Sequence, residues 1–160
     1  MADGGASELI MLISGLLVAG IVTSLLIASW GGLANSVDTA QTQVEADSKT
    51  RAALASDPMQ VSWDQPSCNL SLHIQNTGSL ELLDAEIGII ANGTASTVNQ
   101  TRLLGNSSTW TTGEVLELQV CPSGVTMSAG QEIIVTVVVR SEHYKGISGQ
   151  HSFSEVVRLV

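Results

Sequence analysis

The run LIMLISGLLVAGIVTSLLIASW, residues 9–30, carries no charged side chain, and the charge-free stretch extends from Glu8 to Asp38. At about 1.5 Å per residue its 22 residues make a helix of roughly 33 Å, enough to cross a hydrocarbon core of about 30 Å. A soluble protein hides such a helix only inside a large core, and 160 residues leave one compact domain at most beside it. The rival reading, a secretory signal, needs a basic head and a shorter apolar core. No Lys or Arg precedes Leu9. Trp30 stands where an interfacial anchor belongs, and Gly15, Ala19 and Gly20 would let another helix approach closely. The expected order is therefore a short tail over 1–8 and a transmembrane helix over 9–32.

Beyond the membrane, Leu33, Val37, Ala40, Val44, Arg51 and Leu54 recur at helical spacings, with polar Gln41, Gln43, Glu45 and Lys49 between them. This predicts a helical neck over 33–57, stopped at Asp57-Pro58 because the residue before proline disfavours helix. Asp47 occupies one position of the apolar seam, so packing of the neck on its own domain fits as well as self-association.

From Met59 the period changes to two. Leu70, Leu72 and Ile74 alternate in CNLSLHIQ before a turn at Asn76-Thr77-Gly78-Ser79, and LELLDAEIGII continues with Leu80, Leu82, Ile87 and Ile89 until Asn92-Gly93. Further strands are expected over 98–104, 114–120, 132–140 and 153–159. The expected turns lie at Gly105-Asn106, Pro122-Ser123-Gly124, Ala129-Gly130 and Lys145-Gly146. IIVTVVV, residues 133–139, is apolar on both faces and reads as a central strand. Six or seven short strands with frequent turns predict an all-β fold over 58–160. Its expected form is an antiparallel immunoglobulin-like β-sandwich carried on the single N-terminal transmembrane helix.

Charge bias says little about sidedness, since only Lys49 and Arg51 lie near either end of the apolar run. Other features favour an extracytoplasmic domain, with the chain a single-pass protein of the cell membrane. Cys68 and Cys121, the only two cysteines, would close a disulfide in an oxidising compartment. Four N-x-[ST] sequons begin at Asn69, Asn92, Asn99 and Asn106, the last three spaced by seven residues, and are candidate N-glycosylation sites.

Chemistry is sparse. A net charge of −9, from six Lys plus Arg against fifteen Asp plus Glu, argues against nucleic acid, which needs a basic face. One Phe and one Tyr make no base-stacking platform. His73, His143 and His151 lack metal-ligand spacing, and no GxSxG, phosphate loop or CxxC is present. We expect no enzyme activity, catalytic residue, metal, cofactor or small-molecule substrate.

Ser7-Glu8-Leu9-Ile10-Met11-Leu12-Ile13, followed by Gly15-Leu16-Leu17-Val18-Ala19, resembles the start of archaeal flagellar (archaellum) protein G. The resemblance extends over the whole chain in layout, a membrane helix followed by a β-sandwich. It implies an accessory protein of the archaellum that forms, with flagellar protein F, a stator-like unit between the motility motor and the S-layer. The alternative is a type IV pilin-like or archaellin filament subunit. Those chains are cut after a basic residue and a Gly, with Glu commonly fifth in the mature chain. Here Met1-Ala2-Asp3-Gly4-Gly5 has no basic residue, and cutting after Gly5 would leave Glu8 third. A generic surface-anchored recognition domain is a third reading. The expected partners are the membrane, a protein F-like chain, S-layer protein and further copies in a homo-oligomer or filament.

Overall fold

A computed structural model describes residues 4–105, 107–122, 124 and 126–160. It is mostly antiparallel β-sheet preceded by one long apolar helix, and it divides into two compact units, Met1–Gln41 and Thr42–Val160.

Helix α1 runs unbroken over Gly4–Lys49, 46 residues. In the first unit its apolar side chains are exposed: Leu12, Leu16, Ile27 and Trp30 are 67–73% exposed, and the large apolar residues from Leu9 to Val37 follow the same pattern. The helix is long and apolar enough to span a membrane. Its hydroxyls suit that setting, because Ser14 donates to the Ile10 carbonyl at 2.7 Å, Thr23 to Ala19 at 2.8 Å and Ser24 to Ile21 at 2.8 Å. A polar group bonded within its own helix is not left orphaned in hydrocarbon.

The second unit contains the strands β1 (Ala52–Leu54), β2 (Trp63–Asp64), β3 (Asn69–Asn76), β4 (Gly88–Ala91), β5 (Thr94–Leu103), β6 (Val115–Pro122), β7 (Glu132–Tyr144) and β8 (Ile147–Arg158). All join one sheet in the order β1-β3-β6-β5-β4-β7-β8, with β2 also paired to β3. Within it β7-β4-β5-β6 is a Greek key, the fourth strand returning beside the first. The sheet curls until its ends meet. Val61 bridges Leu159 in parallel, with Val61 N–H donating to the Arg158 carbonyl at 3.0 Å and Val160 N–H to the Val61 carbonyl at 2.9 Å. The result is barrel-like rather than the two separate sheets of the expected sandwich.

Alternation builds the core. β3 and β6 both follow a strict intermediate–buried rhythm, which turns Leu70, Leu72 and Ile74 inward against Leu116, Leu118 and Val120. Ile133, Val135, Val137 and Val139 of β7 add a third wall around fully buried Trp110. Each such side chain contributes roughly 1.5–3 kcal/mol of burial, which makes this the main stabilising term of the domain. The hairpin turns follow from backbone sterics. Asn92-Gly93 joins β4 to β5 and Lys145-Gly146 joins β7 to β8, all four residues with positive φ, as a two-residue type I′ turn demands.

Two expected elements differ. The neck does not remain helical to residue 57: α1 stops at Lys49, and Arg51 and Leu54 lie beyond it, Leu54 in β1. The helix ends because its last carbonyls find tertiary donors, the Lys49 carbonyl accepting from Ser79 N–H at 2.9 Å. Nor is LELLDAEIGII one strand. Leu82 makes isolated bridges to Trp110 and Ser141, a turn follows with Glu86 N–H on the Leu83 carbonyl, and pairing resumes only at β4. β7 has β4 on one side and β8 on the other, yet only its inward face is buried, and Ile134 is 56% exposed. The expected turn residues Asn106 and Ser123 lie outside the described residues.

Candidate functional site

The densest polar cluster is where the last two turns of α1, residues 42–49, join the barrel's own unit. Glu45 and Lys49 stand one turn apart on a common helix face, and their side chains meet at 2.9 Å. The β7–β8 hairpin brings Tyr144, the single tyrosine of the chain, and Lys145 to the same place. Lys49 Nζ donates to the Tyr144 hydroxyl at 2.8 Å, that hydroxyl donates to Glu45 Oε1 at 2.7 Å, and Lys145 Nζ donates to Glu45 Oε2 at 3.0 Å. Lys49 Nζ also sits 4.0 Å from the Tyr144 ring centre, a cation–π distance.

The charges are mutually adjusted. Lys49 above all, then Tyr144 and Lys145, hold the Glu45 carboxyl down to about 2. The Tyr144 hydroxyl and Glu45 push the Lys49 ammonium up, and Glu45 and Tyr144 do the same to Lys145. Lys49 is also the basic residue of the last helical turn, where the helix dipole favours a cation.

Beside this cluster the backbone is interlocked. Asp47 Oδ1 accepts Gln150 N–H at 2.8 Å and Gln43 Nε2 at 2.9 Å, while Gln43 also reaches the Ser148 carbonyl at 3.2 Å. Ala46 and Thr50 are fully buried, and Thr50 Oγ1 returns to the Ala46 carbonyl at 2.8 Å. Gly149 of β8 lies so close that a Cβ there would strike the Thr50 hydroxyl and the Ala46 carbonyl. Gly78 stands in the same relation to the Lys49 carbonyl and the Arg51 nitrogen. Next to Gly78, buried Asn76 is satisfied throughout: Nδ2 donates to the Leu80 and Trp110 carbonyls at 2.8 and 2.9 Å, and Oδ1 accepts Gly78 N–H at 2.9 Å. These groups hold one another in place. The arrangement is a clamp.

The residues singled out in the sequence lie elsewhere. Cys68 and Cys121 are joined, with Cα atoms 5.1 Å apart, and tie the start of β3 to the end of β6. Asn92 is exposed at the β4–β5 turn, and Asn99 is exposed at the bulge that interrupts β5–β6 pairing. Asn69 is half-buried and accepts from the Asn99 amide at 3.2 Å; Asn106 is outside the described residues. His73 is on β3 opposite Glu117, His143 is exposed near the β7 end, and His151 stacks on Phe153 at 6.3 Å. Among the described residues no cluster of three or more His, Cys, Asp or Glu could hold a metal. A shallow depression on the outer β5–β6 face is lined by Gln100, Arg102, Glu117 and Gln119, with Arg102 Nε on Glu117 at 2.9 Å.

The clamp was only half legible. The Glu45/Lys49 spacing is visible in the sequence, but Tyr144 and Lys145 join from about a hundred positions away. No protein-family model matches this chain, and no curated protein or solved structure is significantly similar to it.

Proposed function

We propose that this chain is a non-enzymatic membrane anchor: a stator-like accessory of the archaellum that links the motility motor to the S-layer with a flagellar protein F-like partner. The observation that carries the reading is the clamp. A static element that opposes torque must pass load from its membrane tether into its binding domain without yielding at the join. In this chain residues 42–50 are fixed by ion pairs, backbone hydrogen bonds and two glycine-sized contacts. The motor-specific part of the proposal rests on the N-terminal resemblance described above. We further propose that the domain is extracytoplasmic, which the Cys68–Cys121 bond supports, and of the immunoglobulin-like kind, which its Greek-key order and inward alternation support.

The filament-subunit reading is favoured by one feature. A filament core would cover the exposed apolar surface of residues 9–37 as well as lipid does. The intact, non-reduced mass of the protein from its native membranes, with mapping of the N-terminus, separates the two. An N-terminus retained through Gly5 supports the anchor, and loss of residues up to Gly5 supports the filament. A two-proton deficit with added glycan supports the outside location, and free thiols without glycan count against it.

A further inference from the structure

Between Gln150 and Arg158, β8 pairs on one side only among the described residues, and its other edge there carries an unused row of backbone groups. The β7–β8 register pairs Val138 with Ser152, Thr136 with Ser154 and Ile134 with Val156. On the far side of β7, Asn92 N–H takes the Ile134 carbonyl at 2.8 Å, so even-numbered β7 residues in this stretch direct their backbone groups to β4. In an antiparallel ladder their β8 partners then point away from β7. Two contacts fix the same phase: Gln150 N–H leaves β8 for Asp47, and Arg158 N–H leaves it for the Pro58 carbonyl at 2.7 Å. Between these two caps, the N–H and C=O groups of Ser152, Ser154 and Val156 have no protein partner among the described residues.

The side chains along this edge are also uncovered. On the inward face of the pair, Val137 and Val135 are buried, but their partners on β8, Phe153 and Glu155, are half-buried and exposed. The core is closed along β7 but opens on β8 at Phe153 and Glu155, before buried Val157 closes it again. On the outer face Ser152, Ser154 and Val156 are exposed, and no Pro or Lys blunts the edge.

We propose that the edge at Ser152, Ser154 and Val156 is a docking site for one extended segment of a partner polypeptide, added as a further strand. Three donors and three acceptors in the plane of a sheet match another extended backbone, which neither a lipid surface nor a compact ligand supplies. The caps at Gln150 and Arg158 limit the paired segment to about five residues, roughly 17 Å. They also disfavour a second copy. A two-fold β8–β8 pairing centred on Ser154 would set Arg158 of one chain opposite Gln150 of the other, in the lane that Asp47 already fills. Alternate side chains of the incoming strand face Phe153 and are apolar, and one beside Glu155 is basic, in keeping with a net charge of −9. The proposal gives the anchor reading its partner contact and rests on that reading only for the partner's identity. The N-terminal mass tests the anchor separately.

The test uses the full chain in detergent micelles and a capped probe peptide, Thr-Val-Thr-Lys-Thr-Val-Thr, which puts its Lys on the same face as its two Val, read by amide hydrogen exchange. Saturating peptide is expected to slow exchange at Ser152, Ser154 and Val156 by roughly tenfold or more, equivalent to about 1.4 kcal/mol. The same peptide N-methylated at alternate residues keeps its side chains, loses its donors and is expected not to protect. Ser154→Pro blocks the edge without removing a backbone bond to β7, because the lost N–H points outward; it gives up only the exposed hydroxyl contact of Ser154 with Thr136 at 2.8 Å, which Ser154→Ala removes alone. Ser154→Pro should abolish protection, whereas Ser154→Ala should keep it, with the two melting temperatures alike. Absence of protection at these amides, equal binding of the N-methylated peptide, or protection that appears with protein concentration alone overturns the proposal; the last outcome would assign the edge to a second copy.

Discussion

One helix passes through two opposite environments. Over residues 9–37 it is almost wholly apolar and almost wholly exposed, with Met11 at 76% and Leu16 at 73%. Over residues 42–50 it is mostly polar, yet Ala46 and Thr50 are fully buried and Gln43, Glu45, Asp47 and Lys49 all have partners. Hydropathy alone would have buried the first segment and left the second in water. The difference lies in where a partner can come from: the first is long and apolar enough for a membrane to cover it, and the second is met by glycines and hydrogen bonds of the barrel. The two segments should therefore fail independently.

The largest effect expected on the barrel alone is loss of its disulfide. A bond between positions 53 residues apart restricts the unfolded chain by about 4 kcal/mol on the chain-entropy estimate. Replacing Cys68 and Cys121 by Ala should lower the denaturation midpoint of the domain while the protein stays in the membrane fraction. The reverse break is Leu17→Arg, which adds roughly 3 kcal/mol to insertion of the apolar segment. Membrane recovery should fall, and the barrel of the molecules that remain should melt as before. Coupled loss in either variant would mean that the two segments are not independent.

Gly149→Ala tests the clamp itself. The added methyl meets the Ala46 carbonyl and the Thr50 hydroxyl, and making room for it costs about 2 kcal/mol. Thermal unfolding should shift downward, and exchange at Gln150 N–H should accelerate because its bond to Asp47 is displaced. A change that spares the clamp while destabilising the distant β5–β6 face would contradict the assignment.

Much of this division was visible in the residues. The apolar run marks the helix, alternation marks β3 and β6, and Asn92-Gly93 and Lys145-Gly146 mark their hairpins, since these signals are local. The helix end was not visible. Arg51 and Leu54 keep helical spacing with Val44, and α1 stops because Ser79, thirty positions on, caps the Lys49 carbonyl. The strand expected at Leu80 fails for a related reason. Leu82 is buried between Trp110 and Ser141, so its hydrophobicity records a tertiary contact rather than one continuous strand. Closure of the sheet through Val61 and Leu159 depends on a parallel bridge between segments almost a hundred residues apart, which no local period encodes.

The smallest effect concerns pH and separates the two segments most cleanly. Glu45 is held at about 2 against an ordinary 4.5. Its folded form binds a proton less readily than its unfolded form, so the stabilisation is present in full above 4.5 and is lost as pH falls from 4.5 towards 2. Lys49 and Lys145 are shifted upward, so their share is complete below 10.5 and fades as pH rises past it. The Glu45 side chain is 37% exposed, and water and salt screen the cluster, so the slopes should be shallow. Glu45→Gln keeps the shape, removes the charge and should flatten the acid limb of the barrel's melting-temperature profile below pH 4.5. In the same variant, membrane retention should not vary with pH, because no ionisable side chain lies between Leu9 and Val37. An acid limb unchanged by Glu45→Gln would place the titrating carboxylates elsewhere in the barrel and reduce the clamp to its glycine contacts and the Asp47 bonds.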